Sequence, residues 1–186
     1  MTALWMVRHG PTHAKAMIGW TDLPADLSNT DQIARVSSAL PDAPIISSDL
    51  LRTRTTADAL QGTRPRLKHE KRFREFHYGE WENQTFDAID SPECRTFFDR
   101  PGAQKAPGGE SWDDVTTRVN ASCAELTGIY SDIIIVAHMG VILTQWARAL
   151  NISPYAALGQ VIEPLSITRI TWDGSRFSGD FANHHP

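Results

Sequence analysis

Leu4-Trp5-Met6-Val7-Arg8-His9-Gly10-Pro11-Thr12 decides how the rest of the chain is read. Its first four residues are apolar without alternation, the pattern of a strand covered on both faces in a parallel sheet. The run stops abruptly at Arg8-His9-Gly10-Pro11-Thr12. In open α/β sheets ligands bind outside the carboxyl ends of the strands. A cation, an imidazole and a glycine placed there can hold an anion and attack it. Taken alone, the tripeptide is better read as a polar loop that ends a strand.

Working outward, a loop runs from Pro11 to about Leu27 and carries His13, Lys15 and Trp20. Ser28 to Leu40 reads as a helix with N-caps at 28–30 and Ile33, Val36 and Leu40 on one face. Pro44-Ile45-Ile46-Ser47 is a short strand. Ser47 or Ser48 can cap a helix over Asp49 to Leu60, which Gly62 closes. A short strand is expected at Arg66-Leu67. The stretch 73–82 is too charged and aromatic for a core element and too apolar for a linker. Ser91-Pro92 starts a helix, which Phe97 and Phe98 anchor. Residues 100–109 form an irregular loop, and Ser111 with Asp114 makes a capping box for a helix whose inner face is Val115, Val119, Ser122 and Leu126. Ile133 to Ala137 is a buried central strand ending in His138-Met139-Gly140. A helix follows from about Val141 to Leu150, and a shorter one starts at Ser153-Pro154. Leu165 to Trp172 and Ser175 to Phe181 read as a hairpin joined by a type I′ turn at Asp173-Gly174. Strands alternating with helices give a three-layer α/β/α sandwich, its central sheet mostly parallel with an antiparallel edge. One domain spans 1–186, with a lid-like insertion at about 73–110.

Size and composition agree with that architecture. The chain has 186 residues, 41% hydrophobic and 22% charged, values of an ordinary globule. No apolar run approaches a membrane span, and no basic region with an apolar stretch marks a secretory signal. Cys94 and Cys123 are expected to be reduced thiols in a cytoplasm. A net charge of -4 argues against a nucleic-acid partner but leaves room for an anionic small molecule in a locally positive pocket. No membrane partner is expected, and a homo-oligomer is open.

Three strands end in reactive groups. The first ends in Arg8-His9, the second feeds a helix carrying Arg52, and the third ends in His138; Glu75 lies in a loop able to close over them. Two arginines, two histidines and one carboxylate fit phosphoryl transfer through a histidine. Guanidinium groups bind phosphoryl oxygens bidentately and stay charged. A neutral imidazole is a competent nucleophile. Transfer itself is largely positioning and charge stabilisation.

Five ordered motifs between Leu4 and Ile142 carry a family resemblance. Arg8-His9-Gly10-Pro11-Thr12 resembles R-H-G-E-T. Ser47 to Ala57 resembles S-S-D-L-x-R-A-x-Q-T-A. Phe73-Arg74-Glu75 with Gly79-Glu80-Trp81-Glu82 resembles L-R-E-x-x-x-G-x-W-E. Pro107 to Ser111 matches P-G-G-E-S, and Ala137 to Ile142 resembles S-H-G-G-V-I. The chain thus resembles the histidine phosphatase superfamily in its phosphoglycerate-mutase-like branch.

The resemblance implies that His9 becomes phosphohistidine, that Arg8, Arg52 and His138 bind the phosphoryl group, and that Glu75 is the general acid. It implies no metal and no cofactor. Arg54 rivals Arg52, and the family spacing to Thr56-Ala57 selects Arg52. Four departures stand out: Pro11 for Glu, Lys15 for Asn, Asp31 for Gly and Met139 for Gly. Lys15, Trp20, His77, Tyr78 and Met139 are candidates for the substrate rim, whereas Glu80 and Glu82 read as surface charges and Glu110 as a helix-start residue or one that supports the site from behind, not the acid. The implied activity is that of a metal-independent, histidine acid phosphatase-type phosphomonoesterase acting on a small phosphorylated metabolite. The alternatives are a phosphoglycerate mutase-type phosphotransferase, a protein phosphohistidine phosphatase, and a catalytically inactive protein that binds a phosphorylated ligand.

Overall fold

The computed structural model describes residues 1–186. In chain order it begins with β1 (Thr2–Arg8), α1 (Thr30–Ala39), β2 (Ile45–Ser47) and α2 (Leu51–Gln61). Two single-turn segments, Lys71–Phe73 and Gly79–Trp81, precede α3 (Phe86–Ile89) and α4 (Pro92–Asp99). Then come α5 (Trp112–Thr127), β3 (Asp132–Ala137), α6 (Met139–Leu150), α7 (Pro154–Leu158), β4 (Ile167–Trp172) and β5 (Phe177–His184).

The strands form one mixed sheet in the order β2-β3-β1-β4-β5. β2, β3 and β1 run parallel, while β4 and β5 pair antiparallel beyond β1. Alternate side chains of the central strands enter two cores. Leu4, Met6, Ile133 and Ile135 pack with Val119, Cys123, Ile142 and Trp146 of α5 and α6. Val7, Ile134 and Val136 pack with Val36, Ala57 and Leu60 of α1 and α2. This is why both strands lack polar alternation: each face is covered. The three-layer α/β/α architecture expected from the sequence is the one observed.

Local chemistry sets the element ends. Ser111 and Asp114 exchange the two bonds of a capping box at α5, at 3.1 and 3.0 Å. Ser91 caps α4 with Pro92 in the first turn. Four expectations need correction. The Leu50 N-cap of α2 makes no side-chain cap bond; Asp22 takes the Leu51 N–H at 2.6 Å instead, because Ser48 is engaged elsewhere. α6 begins at Met139, directly after His138, two residues earlier than periodicity suggested. In the β4–β5 turn only Gly174 has positive φ, at 107°, whereas type I′ needs two such residues; the Asp173 carboxylate accepts from the backbone N–H groups of Ser175 and Arg176. The expected strand at Arg66-Leu67 is a single bridge from Arg66 to Ile45.

The segment between α2 and α5 packs over the carboxyl ends of the parallel strands around aromatic rings. Phe97 meets Phe76, Trp81 and Phe98 edge-on, with centroids 6.2, 5.3 and 5.0 Å apart. Burying a ring of that size is worth about 1.5–3 kcal/mol. Gly79 has φ +55°, and a Cβ there would strike the backbone of 107–109. That close approach lets Glu80 N–H donate to Pro107 O at 2.8 Å, docking the 107–111 loop onto the 73–82 stretch.

Candidate active site

Strand register brings the reactive groups together. Arg8 pairs with Ala137 and Ser47 with Val136. His9, Ser48 and His138, each one residue further on, therefore emerge at the same edge. The His9 N–H donates to Ala137 O at 3.0 Å and the Ser48 N–H to Val136 O at 3.2 Å. The His9 and His138 rings lie 5.1 Å apart, edge to face.

His9 is buried, and its Nδ1 lies 2.7 Å from Gly10 O. A carbonyl only accepts, so Nδ1 carries the proton and Nε2 keeps its lone pair. Arg52 Nε donates to that Nε2 at 3.3 Å. Burial, reinforced by the Arg52 charge, lowers the His9 pKa to about 3. The ring is therefore neutral across ordinary working pH.

Arg52 is 1% exposed, and its terminal nitrogens donate to Thr21 O at 2.9 Å and Gly19 O at 2.6 Å. Arg54, two positions on, is exposed. Arg8 donates to Ile162 O, and its Nε is buried without a partner. Elsewhere Arg74 pairs with Asp49 and Arg118 with Glu110, whereas Arg8 and Arg52 bond only to neutral acceptors. Burial lowers the pKa of both, the electrostatic cost of keeping two desolvated cations without an anion.

His138 is fully buried. Its Nε2 lies 2.9 Å from Ser48 Oγ, which in turn lies 2.6 Å from Thr53 Oγ1. Its Nδ1 has no partner. Burial, reinforced by the Arg52 charge, pushes its pKa well below the usual imidazole range.

Glu75 is 6% exposed; its carboxyl accepts from the N–H of Phe76 at 3.0 Å and of Gly140 at 3.1 Å. Those bonds favour the anion, yet burial outweighs them and raises the pKa. The Glu75 backbone is anchored too. Its carbonyl accepts from Trp20 Nε1 at 2.8 Å and Arg118 Nη2 at 2.9 Å, and Arg118 also holds the carbonyls of Arg72 and Arg74.

Arg8, His9, Arg52, Glu75, Tyr78 and Met139 line one cavity of about 280 Å³. Of the expected rim residues, Tyr78 and Met139 belong to its wall, while Lys15, Trp20 and His77 do not. The Trp20 ring sits under Arg74 and beside His77, bracing the Glu75 segment. Three residues outside the expected catalytic and rim sets support the site, and of these the sequence offers Glu110 alone for such a role. Glu82 accepts from the N–H groups of Gly19, Trp20, Thr21 and Tyr78 and from the Thr21 hydroxyl, so it fixes the loop whose carbonyls hold Arg52. Glu110 bonds Arg118 and the His77 N–H, and Arg118 spans the Glu75 segment. The only sequence signal for Glu82 and Glu110 is their place in the W-E and P-G-G-E-S motifs. No three His, Cys, Asp or Glu side chains converge as metal ligands, and no helix is long and apolar enough to cross a membrane.

Comparison with known proteins identifies the family and the fold. "Probable phosphoglycerate mutase GpmB" of Salmonella paratyphi C is 32% identical over 139 residues, 68% of this chain. The match spans 65% of that relative's length. The structure of Bacillus stearothermophilus YhfR superposes with a TM-score of 0.85 at 26% identity, over 96% of this chain and 95% of that one. The mycobacterial glucosyl-3-phosphoglycerate phosphatase Rv2419c gives 0.85 at 25% identity, with both chains covered fully. The family model of the histidine phosphatase superfamily (branch 1) matches residues 4–184. With nearly its whole length matched and two buried histidines set at the strand ends between unpaired guanidiniums, the chain belongs to branch 1 of the histidine phosphatase superfamily.

Proposed function

We propose that the protein hydrolyses a phosphomonoester through a phosphohistidine at His9, without a metal. One observation carries the reading: the buried Arg52 and the partly buried Arg8, neither with an anionic partner, flank a neutral imidazole whose Nε2 lone pair carries no proton. A dianionic phosphoryl group is the ligand that balances such a site. Its oxygens would accept from Arg8, Arg52 and His138, satisfying the orphaned Arg8 Nε. A proton order running from Thr53 through Ser48 to His138 Nε2 leaves His138 Nδ1–H as a donor to the same group.

In the first step His9 Nε2 bonds to phosphorus as the bond to the ester oxygen breaks. Glu75 gives its proton to that oxygen, releasing the alcohol. Positive charge gained by the imidazole is met by Gly10 O at Nδ1–H. In the second step a water attacks phosphorus, the P–N bond breaks, and the Glu75 carboxylate takes the proton of water, restoring the acid. The raised pKa of Glu75 suits a group that must donate and then recover a proton. Two buried, unpaired cysteines, Cys94 and Cys123, suit a reducing cytoplasm.

The test is release of phosphate from an aryl phosphate in the presence of a chelator, with acid quench of the turning-over enzyme. An acid-labile phosphate on His9, absent from His9→Ala together with turnover, supports the reading. Activity that requires a bisphosphate primer and frees no phosphate makes it a mutase instead. Phosphate binding without turnover, unchanged in His9→Ala, makes it a sensor.

A further inference from the structure

Resting on the phosphomonoesterase reading, we propose that the leaving group is an apolar alcohol, aryl or alkyl, and not a sugar acid or other anionic alcohol. The floor of the cavity is charged, but its walls are not. Met17 and Ile18 come from the loop after β1, Phe86 from α3 and Phe98 from α4, with Tyr78 and Met139 closing the sides. The cavity lining contains no cation beyond Arg8 and Arg52, and the phosphoryl group uses both. Lys15, the cation nearest in sequence to this wall, is exposed and not part of it. A carboxylate on the leaving group would thus lose water and find only the neutral hydroxyls of Thr12 and Tyr78 and no cation of its own, at a cost that favours rejection.

A second observation extends the apolar path. Tyr78, Phe98 and Met139 are shared with an adjoining hollow of about 50 Å³, backed by Phe97, Trp112 and Leu143. Phe86 and Met139 are also among the few large apolar side chains left exposed, at 59% and 38%. An apolar alcohol seated against them removes that surface from water. Met139 stands where the family pattern has glycine, so this chain carries extra apolar wall beside the second histidine.

The experiment uses n-alkyl monophosphates from ethyl to hexyl, whose leaving oxygens are chemically alike. Moving a methylene from water to an apolar wall predicts a rise in kcat/KM of about threefold to fourfold per carbon, levelling once the chain outgrows the cavity. 3-Phosphoglycerate is expected to fall below butyl phosphate. Met139→Gln and Phe98→Asn should lower the hexyl-to-ethyl ratio severalfold. A flat or falling series, or preference for 3-phosphoglycerate, overturns the inference while leaving the phosphatase reading intact. If no ester turns over, the phosphatase reading fails; calorimetry with n-alkyl phosphonates then decides the inference alone, since affinity must still climb with chain length.

Discussion

Replacing Glu82 by glutamine tests whether this carboxylate positions Arg52 from a distance. Its Oε2 accepts from Gly19 N–H, Thr21 N–H and the Thr21 hydroxyl at 3.1, 3.2 and 2.7 Å, and its Oε1 from Trp20 N–H and Tyr78 N–H at 2.7 and 3.2 Å. An amide keeps one acceptor oxygen and turns an NH₂ toward the remaining donors. With the oxygen on the three-donor side, two charge-assisted bonds are lost, at about 1.5–3 kcal/mol each. Water reaching this half-buried group offsets part of that, leaving a destabilisation of about 3 kcal/mol. For a chain of this length the melting temperature should fall by about 6–12 °C at pH 7. The hydrogen bonds hold the Glu82 pKa below 4.5 despite partial burial. Its stabilisation is therefore complete above pH 4.5 and fades as pH falls through the depressed value. Thermal unfolding followed by circular dichroism should show the gap between wild type and Glu82→Gln closing below pH 4.5. Because the Gly19 and Thr21 carbonyls orient Arg52, KM for a phosphomonoester should also rise in the folded variant. A melting temperature within about 2 °C of wild type, or a gap that persists into acid, would refute the reasoning.

Glu75→Gln should slow hydrolysis of alkyl phosphates by about 10²–10⁴ and of aryl phosphates much less, as phosphate-release assays can read; equal losses would remove Glu75 as the acid. Since burial raises the Glu75 pKa, the alkaline limb of kcat for alkyl phosphates should lie above pH 4.5 and vanish in that variant. His9, held at about 3, should add no limb between pH 4 and 8, and a limb that follows His9 would contradict its burial as a neutral base. Arg52→Met should cost at least 10²-fold in kcat/KM while Arg54→Met stays near wild type, and steady-state kinetics of the pair separates the two. Gly140→Ala places a Cβ against Glu75 Oε1 and the Phe76 ring, so it should mimic Glu75→Gln on alkyl esters, with the aryl-to-alkyl rate ratio as readout.

The parts of this site readable from sequence are those fixed by local patterns. Apolar runs ending in Arg8-His9 and Ala137-His138 placed both imidazoles at strand ends, and the Ser111–Asp114 box placed α5. Arg52 was singled out over Arg54 only by motif spacing, because a helix start without a cap gives periodicity little to act on. What sequence could not give are the partners brought in across 29 to 63 positions. Asp22 caps α2, Glu82 ties the 19–21 loop, and Arg118 grips 72–75. Glu82 beside Glu80 looks like a solvated charge until the backbone N–H groups that need it are seen. Trp20 is a rim candidate on sequence, yet its indole N–H serves the Glu75 carbonyl.

The pairing of β1 with β3 sets Ala3 opposite Asp132, 129 positions later, and the other flank of β1 is filled by β4, later still. As the chain leaves the ribosome, Arg8 and His9 appear early with nothing beside them. The strands that flank β1 on both sides are made only after more than a hundred further residues. A chain stopped before β3 therefore carries His9 without His138 beside it, and the two imidazoles meet only as the centre of the sheet closes.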